Sequence, residues 1–240
     1  PLNSWYTSDF TATFNDTDEI NGSGVQYHFY QVIDYDGTEW RANNDKGFFS
    51  DNFDNTIHSD WTQQTSAWTI NTSFLQSANE NESNTNIHTP LNQDNSNQFI
   101  YNWGGKISGS GTNKRAGLHF MCSDPTLNQR GNSYMVYFRT AQNKIQIYES
   151  VNNTITLEAD IDFTLNDNQW YDYKIVYDKL TGQILVYVDN TLEATWTDST
   201  PLVVGNSISL RSGNCIYDVN NMKVYHNRQS SEQINVGTLG

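Results

Sequence analysis

The sequence predicts an all-β fold, an antiparallel two-sheet sandwich, on three observations. The second half of the chain is a succession of short segments rich in Tyr, Ile, Val and Phe. Turn-forming Gly, Asn and Asp residues separate these segments. Apolar and polar residues alternate within the segments, and no stretch has the period of an amphipathic helix. The predicted strands are residues 116–122, 133–140, 144–149, 170–178, 183–189, 207–211 and 221–225.

Composition supports one large β domain and argues against several classes of partner. Of the 240 residues, 36% are hydrophobic and 13% are aromatic, which is enough to build a sandwich core. The chain carries 27 acidic and 13 basic residues, for a formal charge of −14, and such a charge repels nucleic-acid phosphates and anionic lipid. No apolar run approaches the roughly 20 residues of a membrane helix, so no membrane insertion is expected. Abundant Asn, Asp, Ser and Thr with little Lys is typical of exported bacterial proteins, and we expect a secreted or cell-surface location.

The residue pattern divides the chain into three regions: residues 1–47, 48–227 and 228–240. The first contains two or three short β segments broken by turns, the second is the large domain, and the third is a C-terminal extension. Isolated hairpins do not form a stable core in water, so the first region needs a partner. Two alternatives are open. Residues 1–47 belong to a host domain that the large domain interrupts, or they pack directly onto the large domain.

Strand alternation predicts one polar face in the second half of the chain. Leu118 and Phe120 are apolar and lie on the same side of their strand, which is therefore the buried side. His119, between them, and the residues at matching positions on neighbouring strands then point outward. Aromatic rings stack on sugar rings, and Arg, Gln and His bind hydroxyl or acid groups. The predicted ligand-binding residues are His119, Tyr137, Arg139, Gln146, Tyr148 and Arg211.

The chemistry of this set points to a saccharide. Two arginines in an acidic protein favour a carboxylated or sulfated glycan. The alternative is structural: Tyr137 and Tyr148 are then ordinary cross-strand partners, and the arginines neutralise local carboxylates.

The two cysteines, Cys122 and Cys215, each end a predicted strand. Two thiols alone do not complete a tetrahedral metal site. In an oxidising compartment a disulfide would tie the two strand ends together, and the alternative is two buried free thiols.

Several motifs in residues 48–227 resemble those of the concanavalin A-like jelly roll, as found in laminin G-type and related bacterial sugar-binding modules. They are Asp51-Asn52-Phe53-Asp54, Trp68-Thr69-Ile70, Asn132-Ser133-Tyr134, Gln169-Trp170-Tyr171, residues 115–120 and 182–190, and Asp218-Val219. The resemblance implies a two-sheet jelly-roll sandwich preceded by a short N-terminal β segment. Residues 1–47 in turn resemble the opening of bacterial immunoglobulin-like surface repeats.

The jelly-roll resemblance also implies a structural Ca²⁺ where the first and last strands of the domain are neighbours. Asp51, Asp54 and Asp218 stand at these positions, and Ca²⁺ prefers oxygen ligands. The alternative for Asp51 and Asp54 is that they cap a turn.

Catalytic members of this fold provide a separate comparison. Laminarinase-like members alternate two glutamates and an aspartate on one strand, whereas the nearest match here has only Glu158 before Asp160 and Asp162. Alginate-lyase-like members use Tyr, His, Arg and Gln or Asn, and His119, Tyr137 and Arg139 supply three of these types without the family's flanking motifs.

The sequence therefore predicts a non-catalytic module of a larger bacterial protein that binds polysaccharide beside other modules of its parent chain. A polysaccharide lyase or hydrolase and a structural or adhesin spacer are the alternatives, because one fold serves all three.

Overall fold

The computed structural model describes residues 10–13, 28–35, 37–65, 67–228 and 233–236. It confirms the all-β prediction: the described residues form antiparallel strands and one 3₁₀ turn at Asn44–Lys46. Two large sheets pack face to face as a sandwich.

The first large sheet has seven strands, and four consecutive strands form a meander from one edge of the sheet to its middle. Asn152 and Asn153 form the two-residue turn between two of them, and both have positive φ, as a type I′ hairpin requires. In spatial order the strands are β14 (Thr154–Asp162), β13 (Lys144–Val151), β12 (Ser133–Arg139), β11 (Arg115–Cys122), β18 (Ser207–Gly213), β9 (Ile87–Pro90) and β6 (Thr62–Gln63).

The second large sheet has nine strands. Its main path is β17 (Thr191–Thr197), β16 (Gln183–Val188), β15 (Trp170–Asp178), β10 (Gln98–Ser108), β19 (Ile216–Arg228), β8 (Phe74–Ser77) and β7 (Trp68–Asn71). Two short strands, β2 (His28–Tyr30) and β5 (Phe49–Asp51), also pair with β19.

Alternate residues of both sheets interleave to form the core. Phe138 stacks on Tyr173 at 3.8 Å between ring centroids, and the Trp103 indole donates to the Tyr217 hydroxyl at 2.7 Å. Tyr101 and Tyr217 thus have hydrogen-bond partners for their buried hydroxyls, which removes the cost of an unpaired buried polar group, whereas the Tyr173 hydroxyl has no partner among the described residues. With the inward faces in the core, the other face of the seven-stranded sheet holds the polar side chains.

The N-terminal region contributes to more than one sheet. Its strand β2 lies in the nine-stranded sheet, and β3 (Ile33–Tyr35) pairs with β4 (Trp40–Ala42) in a separate hairpin. A two-stranded sheet joins β1 (Phe10–Thr13) to β20 (Gln233–Val236). Most residues behind the immunoglobulin-like resemblance, 1–9 and 14–27, lie outside the described residues.

The structure corrects the disulfide expectation, because Cys122 and Cys215 are both buried free thiols. Cys122 ends β11, whereas the Cys215 sulfur contacts the backbone oxygen of Arg115 at the start of the same strand. Seven residues of extended strand span about 23 Å, and a disulfide needs Cα atoms within about 7 Å. Burial raises the pKa of the two thiols to about 12 and about 11, respectively.

Within the described ranges, no helix has the length and apolar character needed to cross a membrane.

Candidate functional site

The predicted polar side chains lie in rows across the outer face of the seven-stranded sheet. One row runs through Arg211, Gly117, Tyr137, Gln146 and Asp160, which are successive register partners on five strands. The next row runs through Ser209, His119, Met135, Tyr148 and Leu157. The strand registers thus bring the six predicted residues onto one face.

Gly117 leaves a gap in the first row that two arginines fill. Arg211 and Tyr137 are on strands separated by β11, about 10 Å apart, and a side chain at position 117 would stand between them. Instead, the Arg211 guanidinium lies 5.4 Å from the centroid of the Tyr137 ring, and that of Arg115 lies 6.0 Å from it. The Tyr137 hydroxyl and Arg211 Nε are buried and have no hydrogen-bond partner among the described residues. Such groups gain free energy from a ligand that satisfies them.

Gln146 fixes the neighbouring groups. Its Oε1 accepts from Arg139 Nη1 at 2.9 Å and from the Tyr148 hydroxyl at 2.8 Å, and its Nε2 donates to Asp160 Oδ1 at 2.8 Å. The Tyr148 ring meets the Tyr137 ring edge-on, with centroids 5.8 Å apart. Arg139 and Tyr148 are only partly buried, so this network holds reachable groups in a fixed arrangement.

A loop covers the other half of the face. Residues 123–132, called the covering loop here, are held down by Arg130, which is fully buried. Its guanidinium donates to Ser209 Oγ (3.1 Å), Asn84 Oδ1 (3.0 Å), and the backbone oxygens of Thr85 (2.9 Å) and Asn128 (2.6 Å). In addition, Arg211 Nη1 donates to Gln129 Oε1 of the loop at 2.8 Å.

His119 lies beneath the covering loop and is fully buried. Its Nδ1 is 3.1 Å from Ser133 Oγ, and Ser133 in turn donates to the loop at Gln129. Of the other five predicted residues, Arg139 and Tyr148 are half-buried, whereas Tyr137, Gln146 and Arg211 are buried, so the prediction that all six face solvent is wrong for four of them. In this arrangement a ligand on the face does not reach the imidazole.

The burial of His119 predicts acid sensitivity. Burial, and then the guanidinium groups of Arg130 and Arg211, hold the pKa of this imidazole well below its usual value. Below about pH 6.5 the unfolded chain binds a proton at this position that the folded protein does not bind. The free energy of unfolding therefore decreases as the pH is lowered. Between about pH 7 and pH 5.5 the free energy of unfolding should drop by about 1 kcal/mol more in the wild type than in His119→Gln. Urea unfolding at both pH values measures this difference. An equal change in the free energy of unfolding between the two pH values for both proteins would contradict this prediction.

The electrostatics of the face are unusual for an acidic protein. Four of the six arginines of the chain, at positions 115, 130, 139 and 211, lie at this face. Among the described residues none of the four pairs with a carboxylate; their hydrogen-bond acceptors are amide, hydroxyl and backbone oxygens. The structural alternative, in which arginines 139 and 211 neutralise local carboxylates, therefore lacks its ion pairs in this part of the chain.

The three predicted calcium ligands do not form one site. Asp51 accepts from the Trp61 indole and the Phe53 amide, Asp54 is exposed, and Asp218 is buried with Gln76 and Lys106. Asp51 lies opposite Met222, four residues along β19 from Asp218, or about 13 Å. No group of three acidic, His or Cys side chains suited to a metal was found among the described residues. Calcium binding stays a prediction, tested by the unfolding midpoint with CaCl₂ or with a chelator.

Sequence reasoning missed Arg115 and Asp160 as members of the face. Arg115 has the same strand parity as Gly117 and was missed because the predicted strand began one residue too late. Asp160 faces Gln146 because an irregularity at Glu158 shifts by one residue the register that the Asn152-Asn153 turn sets; the turn alone would place Ala159 there, so the turn sequence did not predict it. Asp160 also pairs with Lys144 at 3.1 Å, at the rim of the face.

Comparison with known proteins identifies the fold. No protein-family model and no curated protein sequence matches the chain. Among solved structures, a Bacillus subtilis protein of unknown function with a galectin-like fold is similar, with a TM-score of 0.58 and 14% identity over 75% of this chain and 96% of that one. Lectin II from Ulex europaeus gives a TM-score of 0.57 and 13% identity, over 77% and 100%. The Bacillus licheniformis β-glucanase gives 0.56 and 14%, over 76% and 99%. The chain thus has the jelly-roll sandwich fold, as the sequence motifs predicted.

Proposed function

We propose that this protein is a non-catalytic module that binds an acidic polysaccharide on the outer face of its seven-stranded sheet. The binding surface, called the Tyr137 face, consists of Arg115, Tyr137, Arg139, Gln146, Tyr148 and Arg211. The observation that carries the proposal is the position of Arg115 and Arg211 at the Tyr137 ring, beside Arg139 on Gln146, with no carboxylate partner for any of the three arginines among the described residues.

The mixture of groups suits a sugar ring. The half-buried Tyr148 ring, packed edge-on against the buried Tyr137 ring, offers apolar surface to C–H groups, while Arg139 offers a guanidinium group fixed by its hydrogen bond to the buried Gln146. Sites of this kind combine apolar contact with a few well-placed polar groups. Lectin II from Ulex europaeus shows that the fold supports carbohydrate recognition, which agrees with the proposal.

The uncompensated charge favours an acidic sugar. A guanidinium binds a carboxylate or sulfate through two parallel hydrogen bonds, stronger than those to a neutral hydroxyl. Arg211 is buried and pairs with no carboxylate among the described residues, and this burial lowers the pKa of its guanidinium. A ligand carboxylate or sulfate would supply a counter-ion. A single module of this type would bind with a free energy of about 4–8 kcal/mol and gain avidity from neighbouring modules.

The setting of the module follows from the composition. We infer a secreted or cell-surface bacterial protein in which this domain lies beside other modules of the parent chain. The high net negative charge keeps such a protein soluble, and the basic Tyr137 face is then a local exception that selects its ligand.

The direct test is affinity electrophoresis in gels that contain polygalacturonate, alginate, hyaluronan or chondroitin sulfate, with dextran as a neutral gel. We expect the wild type to be retarded by at least one acidic polysaccharide. Arg139→Ala and Tyr148→Ala should each lower the affinity at least about tenfold, or about 1.4 kcal/mol. Lys223→Ala, which removes a positive charge from the other sheet, is the matched control and should behave as the wild type.

Three results would reject or revise the proposal. Migration of the wild type unchanged in every acidic gel would favour the spacer alternative. Equal retardation of both variants and the wild type would remove the Tyr137 face as the site. A rise in ultraviolet absorbance from unsaturated sugar ends would assign a lyase, although the burial of His119 disfavours it.

A further inference from the structure

We infer a second saccharide site on the opposite side of the sandwich, on the outer face of the nine-stranded sheet. A cavity of about 290 Å³, called the Tyr225 cavity, opens there. It is lined by Phe29, Ile100, Asn102, Asp172, Lys174, Asn190 and Tyr225. None of these residues belongs to the Tyr137 face.

The floor of the cavity is apolar and partly aromatic. Tyr225 and Ile100 are register partners on β19 and β10, and both are half-buried on the outward side of their strands. Phe29, on β2, completes the floor from the edge of the sheet. Burial raises the pKa of the Tyr225 phenol, so the ring is sheltered from water although it faces the cavity. This surface suits the C–H face of a sugar ring.

The polar groups around the floor are fixed in pairs. Asn102 Nδ2 donates to Asp172 Oδ1 at 2.7 Å and to the Tyr173 backbone oxygen at 3.0 Å. Lys174 Nζ donates to Asn190 Oδ1 at 3.2 Å and lies 4.5 Å from the centroid of the Tyr187 ring. These contacts hold the side chains in place before any ligand binds, which lowers the entropy that binding would cost.

The same side chains also have hydrogen-bond donors and acceptors that remain free to bind sugar hydroxyls. Asp172 Oδ2 and Asn102 Oδ1 have no side-chain hydrogen bond within the described ranges, and the Lys174 ammonium has two further donors. Neighbouring sugar hydroxyls donate to such oxygens and accept from such an ammonium. The lining holds one carboxylate and one ammonium, so its formal charge is zero. A neutral sugar unit fits this balance, in contrast to the acidic ligand of the Tyr137 face.

The two sites lie on opposite outer faces, with both sheets between them, so one groove does not connect them. If the proposed function of the Tyr137 face holds, the module binds two polysaccharide chains at once. It would then cross-link an acidic chain to a neutral one.

The test uses the Arg139→Ala/Tyr148→Ala double variant, in which the first site is disabled. Affinity electrophoresis in gels with dextran, laminarin, xylan or inulin should show retardation by at least one neutral polysaccharide. Adding Tyr225→Ala or Lys174→Ala to that background should lower the affinity at least about tenfold. Adding Leu192→Ala is the matched control, because this residue is exposed on the same sheet but outside the cavity.

The outcomes separate the two sites. Retention on a neutral gel that Tyr225→Ala and Lys174→Ala abolish supports the second site, even if no acidic gel retards the wild type. No retention of the double variant on any neutral gel, or equal retention with and without Tyr225→Ala and Lys174→Ala, overturns it. Thermal unfolding of each variant checks folding, and Lys174→Ala removes only a surface side chain, so the test remains decisive if Tyr225→Ala is unstable.

Discussion

Arg130→Ala should lower the free energy of unfolding by about 3 kcal/mol, as measured by urea denaturation at neutral pH. The guanidinium is the anchor of the covering loop, and its removal leaves Ser209 Oγ and the Thr85 backbone oxygen buried without this donor. Each buried acceptor left unsatisfied costs about 1–3 kcal/mol, and the empty volume of the side chain adds a cavity. The variant no longer buries an unpaired guanidinium charge, and this gain offsets part of the loss in stability.

Two further variants identify which interaction matters. Arg130→Met keeps much of the apolar volume without the hydrogen bonds, and Arg130→Lys keeps the charge without the planar fork. We expect both to be less stable than the wild type, because neither reaches the four acceptors on Ser209, Asn84, Asn128 and Thr85. A Met variant as stable as the wild type would show that the hydrogen-bond network contributes nothing net.

The covering loop also marks the limit of what the sequence could predict. Alternation places His119, Tyr137 and Tyr148 on one side of their strands correctly, because the side-chain period of a strand is fixed. The path of residues 123–132 over that side depends on long-range hydrogen bonds such as Arg130 to Ser209, which no local pattern encodes. The sequence therefore predicted the face but not which half of it is accessible.

The same limit explains the cysteines and the aspartates. Cys122 ends β11 as predicted, whereas Cys215 lies in the turn between β18 and β19 and contacts the opposite end of β11, since the topology decides which strand ends and turns meet. Asp51 and Asp218 likewise lie on neighbouring strands, yet several residues apart in register. Element type and side-chain direction are local properties of a strand, whereas register and strand order are set by the whole sheet.

Gly117→Ala should affect stability and binding together. The β-carbon of an alanine at this position would lie 1.8 Å from the backbone oxygen of Val136, so the backbone of β11 or β12 has to move. Overpacking in a well-packed region lowers the free energy of unfolding by about 1–3 kcal/mol. We expect a loss of about 3 kcal/mol for this variant, because the obstacle is backbone in the middle of a sheet. The same shift disturbs the row in which Arg211 reaches across position 117 to the Tyr137 ring. We therefore also expect the affinity for the acidic polysaccharide to fall at least about tenfold.

Gly104→Ala provides the matched control, because Gly104 is also a strand glycine with a crowded β-carbon position. There the nearest atom is the side-chain oxygen of Asn220, at 2.1 Å, and a side-chain amide moves more easily than a backbone carbonyl. Urea unfolding should show a smaller loss of stability for Gly104→Ala, and affinity electrophoresis should show unchanged retention on the acidic polysaccharide. If Gly117→Ala binds as tightly as the wild type despite its lower stability, then the arrangement of Arg211 over Tyr137 is not what the ligand recognises. If both variants are equally destabilised, the contact with the Val136 backbone is not the cause.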